Sequence, residues 1–201
     1  LLKEVRFDAI RGNISEIKTL ASLCGTQEKN SGNMAVSDTM DVEKITDKSD
    51  HCGKITGIDG SGRGVDADNA DTVTEENLAQ HISNAKMLSK KLQTIVAITG
   101  AIDLVTDGSS CYVIRNGNPQ MGHVTGAGCQ LSGILTAFLA ANPENKLQAA
   151  AAAVCMMGYA GELAAEKSGQ SGSGTYRVSL MDAVSCMDGD ILERGARYEI
   201  R

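Results

Sequence analysis

Residues Thr94 to Thr99 read TIVAIT, a nearly continuous β-branched run with no polar alternation inside it. A strand with one wet face alternates apolar and polar side chains, so an unbroken run of this kind marks a strand covered on both faces. Before it, behind Thr74-Glu75-Glu76, come Leu78, Ile82, Ala85, Leu88 and Leu92 at helical spacing. Helix followed by buried strand is the signature of a crossover unit, which places the chain in the α/β class.

Upstream, Phe7 to Ile10 is short and apolar enough for a second buried strand. It is followed by Arg11-Gly12-Asn13 and then by Ile14, Ile17, Leu20, Ala21 and Cys24 on one helical face. Asn13 reads as the N-cap, with Glu16 in the first turn. From Gly25 to Gly64 the pattern dissolves into polar, charged, glycine-containing sequence with scattered Val36, Met40, Val42 and Ile45. Such a stretch reads as a long surface insertion, at about 25–63. Downstream, Leu104 to Thr106, Cys111 to Arg115 and Met121 to Val124 read as three short strands, with Asn116-Gly117-Asn118-Pro119 as turn chemistry before the last. They predict a small meander beside the main sheet. Leu131, Ile134, Leu135, Phe138 and Leu139 mark a helix ending near Asn142-Pro143; Lys146 to Lys167 is an alanine-rich helix, and Leu180 to Met187 predicts a shorter one.

The 201 residues are 42% hydrophobic, enough for one sizeable core, and a single domain over 1–201 is the simpler reading. A net charge of −6 with 3% aromatics leaves no basic surface interleaved with stacking side chains, which argues against nucleic acid as a partner. If so acidic a chain handles a polyanion, backbone amides and a divalent cation must neutralise much of its charge. No basic segment followed by an apolar run opens the sequence, and no apolar stretch is read as approaching the ~20 residues of a membrane helix. The expectation is a cytoplasmic protein with no membrane partner. Leu1-Leu2-Lys3-Glu4-Val5 opens without Met and reads as the middle of an element, as in a chain cut from a longer one. The six cysteines are irregularly spaced with no CxxC, and Cys129 and Cys155 fall inside apolar helical patterns, so reduced, buried thiols are expected. His51-Cys52 has no second pair at zinc spacing and reads as a surface loop.

Three segments carry chemistry. Thr125-Gly126-Ala127-Gly128-Cys129 lies between a strand candidate and a helix. Its glycines leave amides unobstructed where the helix dipole favours negative charge, so it reads either as an anion hole or as a ligand-free strand-to-helix turn. In Arg11-Gly12-Asn13-Ile14-Ser15-Glu16, the oxygens of Asn13 and Glu16 share one face of a helix's first turn. They can hold Mg²⁺, with Arg11 pairing phosphate, or form a capping box. Thr99 follows the strongest strand at its C-terminal end, where ligands gather in open parallel sheets.

Together IRGNISEI, AITGAIDLVTDG and VTGAGCQLSGILTAFLA, in this order, closely resemble the hydroxyethylthiazole kinases, and GSGTYRVSLMDAV resembles their C-terminal loop and helix. The resemblance covers most of Leu1 to Leu23 and Gly64 to the end. Its most specific element is the cysteine, because the wider ribokinase-like superfamily carries GAGD, with Asp as base, where thiazole kinases carry GxGC.

The resemblance implies an α/β, ribokinase-like three-layer fold with a central, mostly parallel sheet flanked by helices. It implies transfer of the γ-phosphoryl group of ATP to the primary hydroxyl of 4-methyl-5-(2-hydroxyethyl)thiazole, in thiamine biosynthesis. Arg11 and Thr99 match ATP-contacting positions, Gly126 the glycine contacting the thiazole, and Asn13 with Glu16 the NxxE magnesium motif. Ala127 and Gly128 would form the anion hole, and Cys129 stands where the superfamily's base stands. Family members carry roughly a hundred further N-terminal residues, holding most of the thiazole pocket, and assemble as trimers with substrate sites at subunit interfaces. Two other readings are a non-catalytic nucleotide-binding module and another small-alcohol kinase of the superfamily.

Overall fold

The computed structural model describes residues 5–24 and 72–201; the stretch read as an insertion and the His51-Cys52 pair lie outside them. The described strands form one five-stranded sheet in the order β1 (Ala9–Gly12), β2 (Ile95–Ile98), β3 (Asp103–Thr106), β4 (Cys111–Ile114) and β5 (Tyr198–Ile200). Strands β1 and β2 are parallel, in the register Ala9 to Ile95 through Gly12 to Ile98. The chain between them includes α1 (Ile14–Leu23) and α2 (Leu78–Leu92). The other three pairings are antiparallel.

The described sheet is therefore mixed rather than mostly parallel, and connection length is the cause. Only Thr99–Ile102 separates β2 from β3, and only Asp107–Ser110 separates β3 from β4. A parallel return needs about a dozen residues, so these strands must turn back. Asp107 makes the second turn tight, its Oδ1 accepting from the amides of Ser109 (2.8 Å) and Ser110 (3.0 Å). The strands read as a separate meander are the continuation of the main sheet.

Residues on β2 alternate between two cores, as a strand buried on both faces requires. Ile95 and Ala97 pack with α3 (Ala127–Ala141), α4 (Lys146–Ser168) and α5 (Ser173–Ser185) through Leu131, Val154, Met157 and Leu180. Val96 and Ile98 face the other way, onto Ile17 of α1 and Leu78, Ile82 and Leu88 of α2. This gives three layers: two helices, the sheet, and a second helical layer.

Helix α1 begins where its cap predicts, and α2 and β2 fall within a residue of the sequence reading; β1 sits two residues later than expected. Met121 to Val124 is not a strand. Pro119–His123 forms a 3₁₀ helix, because Pro119 fixes φ at its start and Asn118 caps it, accepting from Gln120 N at 3.0 Å. Helix α5 starts at Ser173, earlier than read, and α6 (Gly189–Gly195) and β5 were not expected. The five described cysteines are free thiols, but only Cys111 and Cys155 are buried; Cys129 and Cys186 are exposed and Cys24 is half-buried, contrary to the expectation of buried thiols. Burial pushes the Cys111 thiol up to about 11 and that of Cys155 up to about 12, which makes both inert packing groups.

Helix α4 also corrects the reading that no stretch approaches membrane length. By length and composition it could span a bilayer, yet 67% of its most apolar window is buried in the protein, between the sheet and the helices α3 and α5. Its small residues allow that closeness. A Cβ on Gly158 would lie 2.7 Å from the backbone oxygen of Asn116, just past β4. Gly158→Ala is expected to lose about 1–3 kcal/mol of stability from overpacking. Gly133→Ala, on α3 with nothing within 4 Å of a new Cβ, should gain about 0.5–1 kcal/mol from helix propensity. Urea unfolding of the two variants checks both signs.

Candidate active site at the sheet edge

Parallel pairing of β1 with β2 brings their C-terminal ends to one edge, and the antiparallel returns bring the start of β3 and the end of β4 to the same edge. On each strand the row of side chains facing α3 and α4 is apolar inside the sheet and continues, at period two, into a polar residue at this edge. Ala9 leads to Arg11, Ala97 to Thr99, Val105 back to Asp103, and Ile114 on to Asn116. All four polar residues line a cavity of about 570 Å³, whose apolar wall is Met121, Leu131, Val154 and Met157.

The Thr99 amide donates to Gly12 O at 2.9 Å, which extends the β1–β2 ladder one step past Ile98. Arg11 Nη1 donates to Thr99 Oγ1 over a long 3.4 Å, and a Cβ on Gly128 would lie 3.1 Å from Arg11 Nη2. The guanidinium thus lies between the end of β2 and the first turn of α3, and its Nε, buried, has no hydrogen-bond partner among the described residues. A buried, unpartnered charged donor is costly in a finished core and ready for an anion.

Gly126 is the N-cap of α3 with φ +92°, a conformation that side chains rarely adopt, and it turns the chain into the helix. Ala127 N already donates to Val124 O at 3.3 Å. The first-turn amides with no protein acceptor among the described residues are those of Gly128 and Cys129. Asn13 and Glu16 form a complete capping box at the start of α1: Asn13 Oδ1 accepts from Glu16 N at 2.8 Å and Glu16 Oε2 from Asn13 N at 2.7 Å.

Of the residues singled out from sequence, Arg11, Thr99, Ala127 and Gly128 meet in the cavity wall. Gly126 and Cys129 flank that wall without lining it, and Asn13 and Glu16 lie beyond Gly12 on the α1 side. Sequence reasoning missed Asp103 and took Asn116 only for a turn residue. A lone acid inside the apolar stretch of AITGAIDLV was the available signal for Asp103.

Asp103 gives the site a pH signature. Its side chain is buried, and burial raises the carboxyl to about 7, against the Gly100 amide that donates to Oδ1 at 2.8 Å and the charge of Arg11, both of which lower it. In the unfolded chain the group ionises near ~3.9, so between there and pH 7 unfolding releases a proton. Stability therefore falls with rising pH across that window, by about 1.4 kcal/mol per unit, and levels off once the folded form ionises too. Asp103→Asn removes the slope. Unfolding measured from pH ~4 to ~8 should show the variant gaining on the wild type until near pH 7, then a constant difference; parallel curves throughout would mean that Asp103 titrates normally.

Known proteins resemble this chain in sequence and in fold. The family model described as the hydroxyethylthiazole kinase family matches residues 39–190. A Clostridium acetobutylicum protein named hydroxyethylthiazole kinase is 42% identical over 200 residues, covering 99% of this chain and 60% of its own length. One of the same name from Desulfovibrio desulfuricans is 34% identical over 209 residues, again with 60% of its length covered. A solved structure of the hydroxyethylthiazole kinase protein from Pyrococcus horikoshii OT3 superposes with a TM-score of 0.57 at 28% identity, over 63% of this chain and 48% of that one. The chain thus spans about 60% of the length of these two sequence relatives. With three-quarters of its residues matched by the family model and its α/β layers shared with a solved member, the chain belongs to the hydroxyethylthiazole kinase family.

Proposed function

We propose that this chain forms the ATP-binding and phosphoryl-transfer part of a hydroxyethylthiazole kinase. The observation that carries the reading is the cavity at the sheet edge: an apolar wall suited to a nucleotide base, and in the same lining Arg11, whose Nε has no partner among the described residues, beside Thr99 and the first turn of α3. In the reaction the substrate's primary hydroxyl oxygen forms a bond to the γ-phosphorus, the bond from that phosphorus to the β,γ-bridging oxygen breaks, the hydroxyl proton leaves, and ADP and the thiazole phosphate result. Such transfer depends on positioning and on stabilising charge on the phosphoryl oxygens.

Arg11 and Thr99 hold the phosphates, and the Gly128 and Cys129 amides, aided by the α3 dipole, stabilise the transferring group. Gly126 presents backbone to the thiazole. In this reading Cys129, exposed at the third position of α3, takes the hydroxyl proton as a weak base. Asn13 and Glu16 fit Mg²⁺: they are hard oxygen donors, the capping box uses only Oε2 of the Glu16 carboxylate, and the Glu16 side chain is exposed. When bound there, Mg²⁺ would neutralise phosphate charge. A cytoplasmic homotrimer completes the reading, with the remaining thiazole contacts supplied by sequence outside this chain.

The decisive assay is ATP-dependent phosphorylation of hydroxyethylthiazole by this chain and by a version carrying the N-terminal segment of its relatives. Turnover in the longer form supports the kinase; ATP binding without turnover in either form would favour a nucleotide-binding module. Cys129→Ala in the longer form should lower kcat about 100-fold, the scale of a lost general base, with KM for ATP within about twofold. Glu16→Gln separates cap from metal, because glutamine preserves a capping box. Its unfolding free energy should stay within ~0.5 kcal/mol of wild type while the Mg²⁺-dependent gain in ATP affinity is lost. Equal ATP affinity with and without Mg²⁺ in the wild type would remove the metal role.

A further inference from the structure

The rim of the cavity opposite Arg11 is the turn 116–119, and three of its groups, together with Arg115 O just before it, depend on one carboxylate or its partner. Glu162, on α4, accepts from Asn116 Nδ2 (3.1 Å) and from Gly117 N (2.8 Å). The same carboxylate takes a two-pronged bond from Arg197, Nη1 to Oε2 at 2.8 Å and Nη2 to Oε1 at 2.7 Å. Arg197 in turn donates its amide to Asn116 Oδ1 (2.7 Å) and its Nη2 to Arg115 O (3.0 Å). Asn116 Nδ2 also donates to Gly195 O at 2.9 Å, so this buried side chain is fully occupied by the scaffold. The turn is pressed on α4 from below, where Gly158 leaves room for Asn116 O.

The geometry points to Glu162, locked by Arg197, as a positioning residue for the nucleotide side of the cavity: through Asn116 and Gly117 it sets where the rim turn stands against the bound base and sugar. This inference rests on the nucleotide reading of the cavity. Glu162 itself does not line the cavity and touches no reacting atom. Removing its charge weakens the bonds from Asn116 Nδ2 and Gly117 N, both of which end on Oε1, and loses the ion pair and one prong of the Arg197 fork, so the turn loses its registration. Chemistry at the other end, around Arg11 and α3, keeps its own supports. The C-terminal segment leading into β5 thereby becomes part of the nucleotide site although it contributes nothing to its lining.

Steady-state kinetics of Glu162→Gln and Arg197→Lys, in the protein at the length of its relatives, test this. KM and Kd for ATP are expected to rise roughly tenfold, the scale of one or two lost hydrogen bonds, with kcat and KM for the thiazole within about twofold. Arg197→Lys, which keeps the charge and loses the fork, should be intermediate. Arg201→Ala, which breaks the neighbouring Arg201–Glu199 pair on the same C-terminal segment, serves as the control and should leave ATP affinity unchanged. Proportional losses in both substrates, or an equal effect of Arg201→Ala, would reduce Glu162 to a stability role and overturn the proposal. Unchanged ATP affinity in Glu162→Gln would overturn it as well. A wild-type protein that neither binds ATP nor turns over fails earlier and differently, and overturns the cavity reading together with this one.

Discussion

The parallel pairing of β1 with β2 is the constraint on which the site depends. Its register puts Gly12 opposite Ile98, and the added bond from Thr99 N to Gly12 O carries the ladder past the end of the strand. That extra step is why Arg11 and Thr99, 88 positions apart in sequence, stand side by side. A slip of β2 by one residue would turn Thr99 toward α1 and away from Arg11, since alternate side chains face opposite cores. Both faces of β2 are packed, so such a slip would also move Ala97 and Ile98 into the wrong layers, and the two cores hold the register jointly.

Helix α4 supplies the second condition. A mostly apolar helix of 23 residues could pack at ordinary distance from the sheet, but its glycines bring particular neighbours closer. Gly158 admits the backbone of Asn116, and Gly161 accepts the hydroxyl of Tyr176 on its carbonyl at 2.9 Å while lying under Met121. Turn, 3₁₀ helix and α5 are thus all set against one helix face, and the apolar wall of the cavity comes from that same helix, from α3 and from Met121 of the 3₁₀ helix.

Much of this was legible in the sequence where the signal was local and strong. The TIVAIT run, the capped repeat after Asn13 and the long periodic helices placed α1, α2, β2 and α4 because each pattern reports burial directly. Strand orientation was less legible, since it follows from connection length, which the eye for motifs passes over: four residues after Ile98 already dictate an antiparallel return. Met121 to Val124 misled because its apolar residues resemble a strand while Pro119 and the Asn118 cap decide the local geometry. Strand β5 is three residues long and half charged or exposed, stabilised by its partner Cys111 to Ile114 rather than by any pattern of its own. The glycine-rich turn and Arg11 could be found as motifs; Asp103 and Asn116 could be found only once the sheet showed that four apolar rows end in polar residues at one edge.

Those four residues differ in how far the protein satisfies them, and the difference sorts scaffold from ligand contact. Asn116 has both ends of its amide bonded to the chain and can only hold the turn in place. Asp103 accepts from the Gly100 amide and burial raises its carboxyl to about 7, so it stiffens the Thr99–Gly100 corner without fixing a full negative charge at the cavity edge. Thr99 makes only long side-chain bonds, at 3.4 and 3.5 Å. Arg11 leaves Nε without a partner among the described residues. Buried polar groups left short of hydrogen bonds cost stability, and a fold retains them where a ligand completes them. The gradient runs from the rim at Asn116 toward Arg11 and the α3 amides that have no acceptor among the described residues, and the proposed nucleotide would lie along it with its phosphates at Arg11.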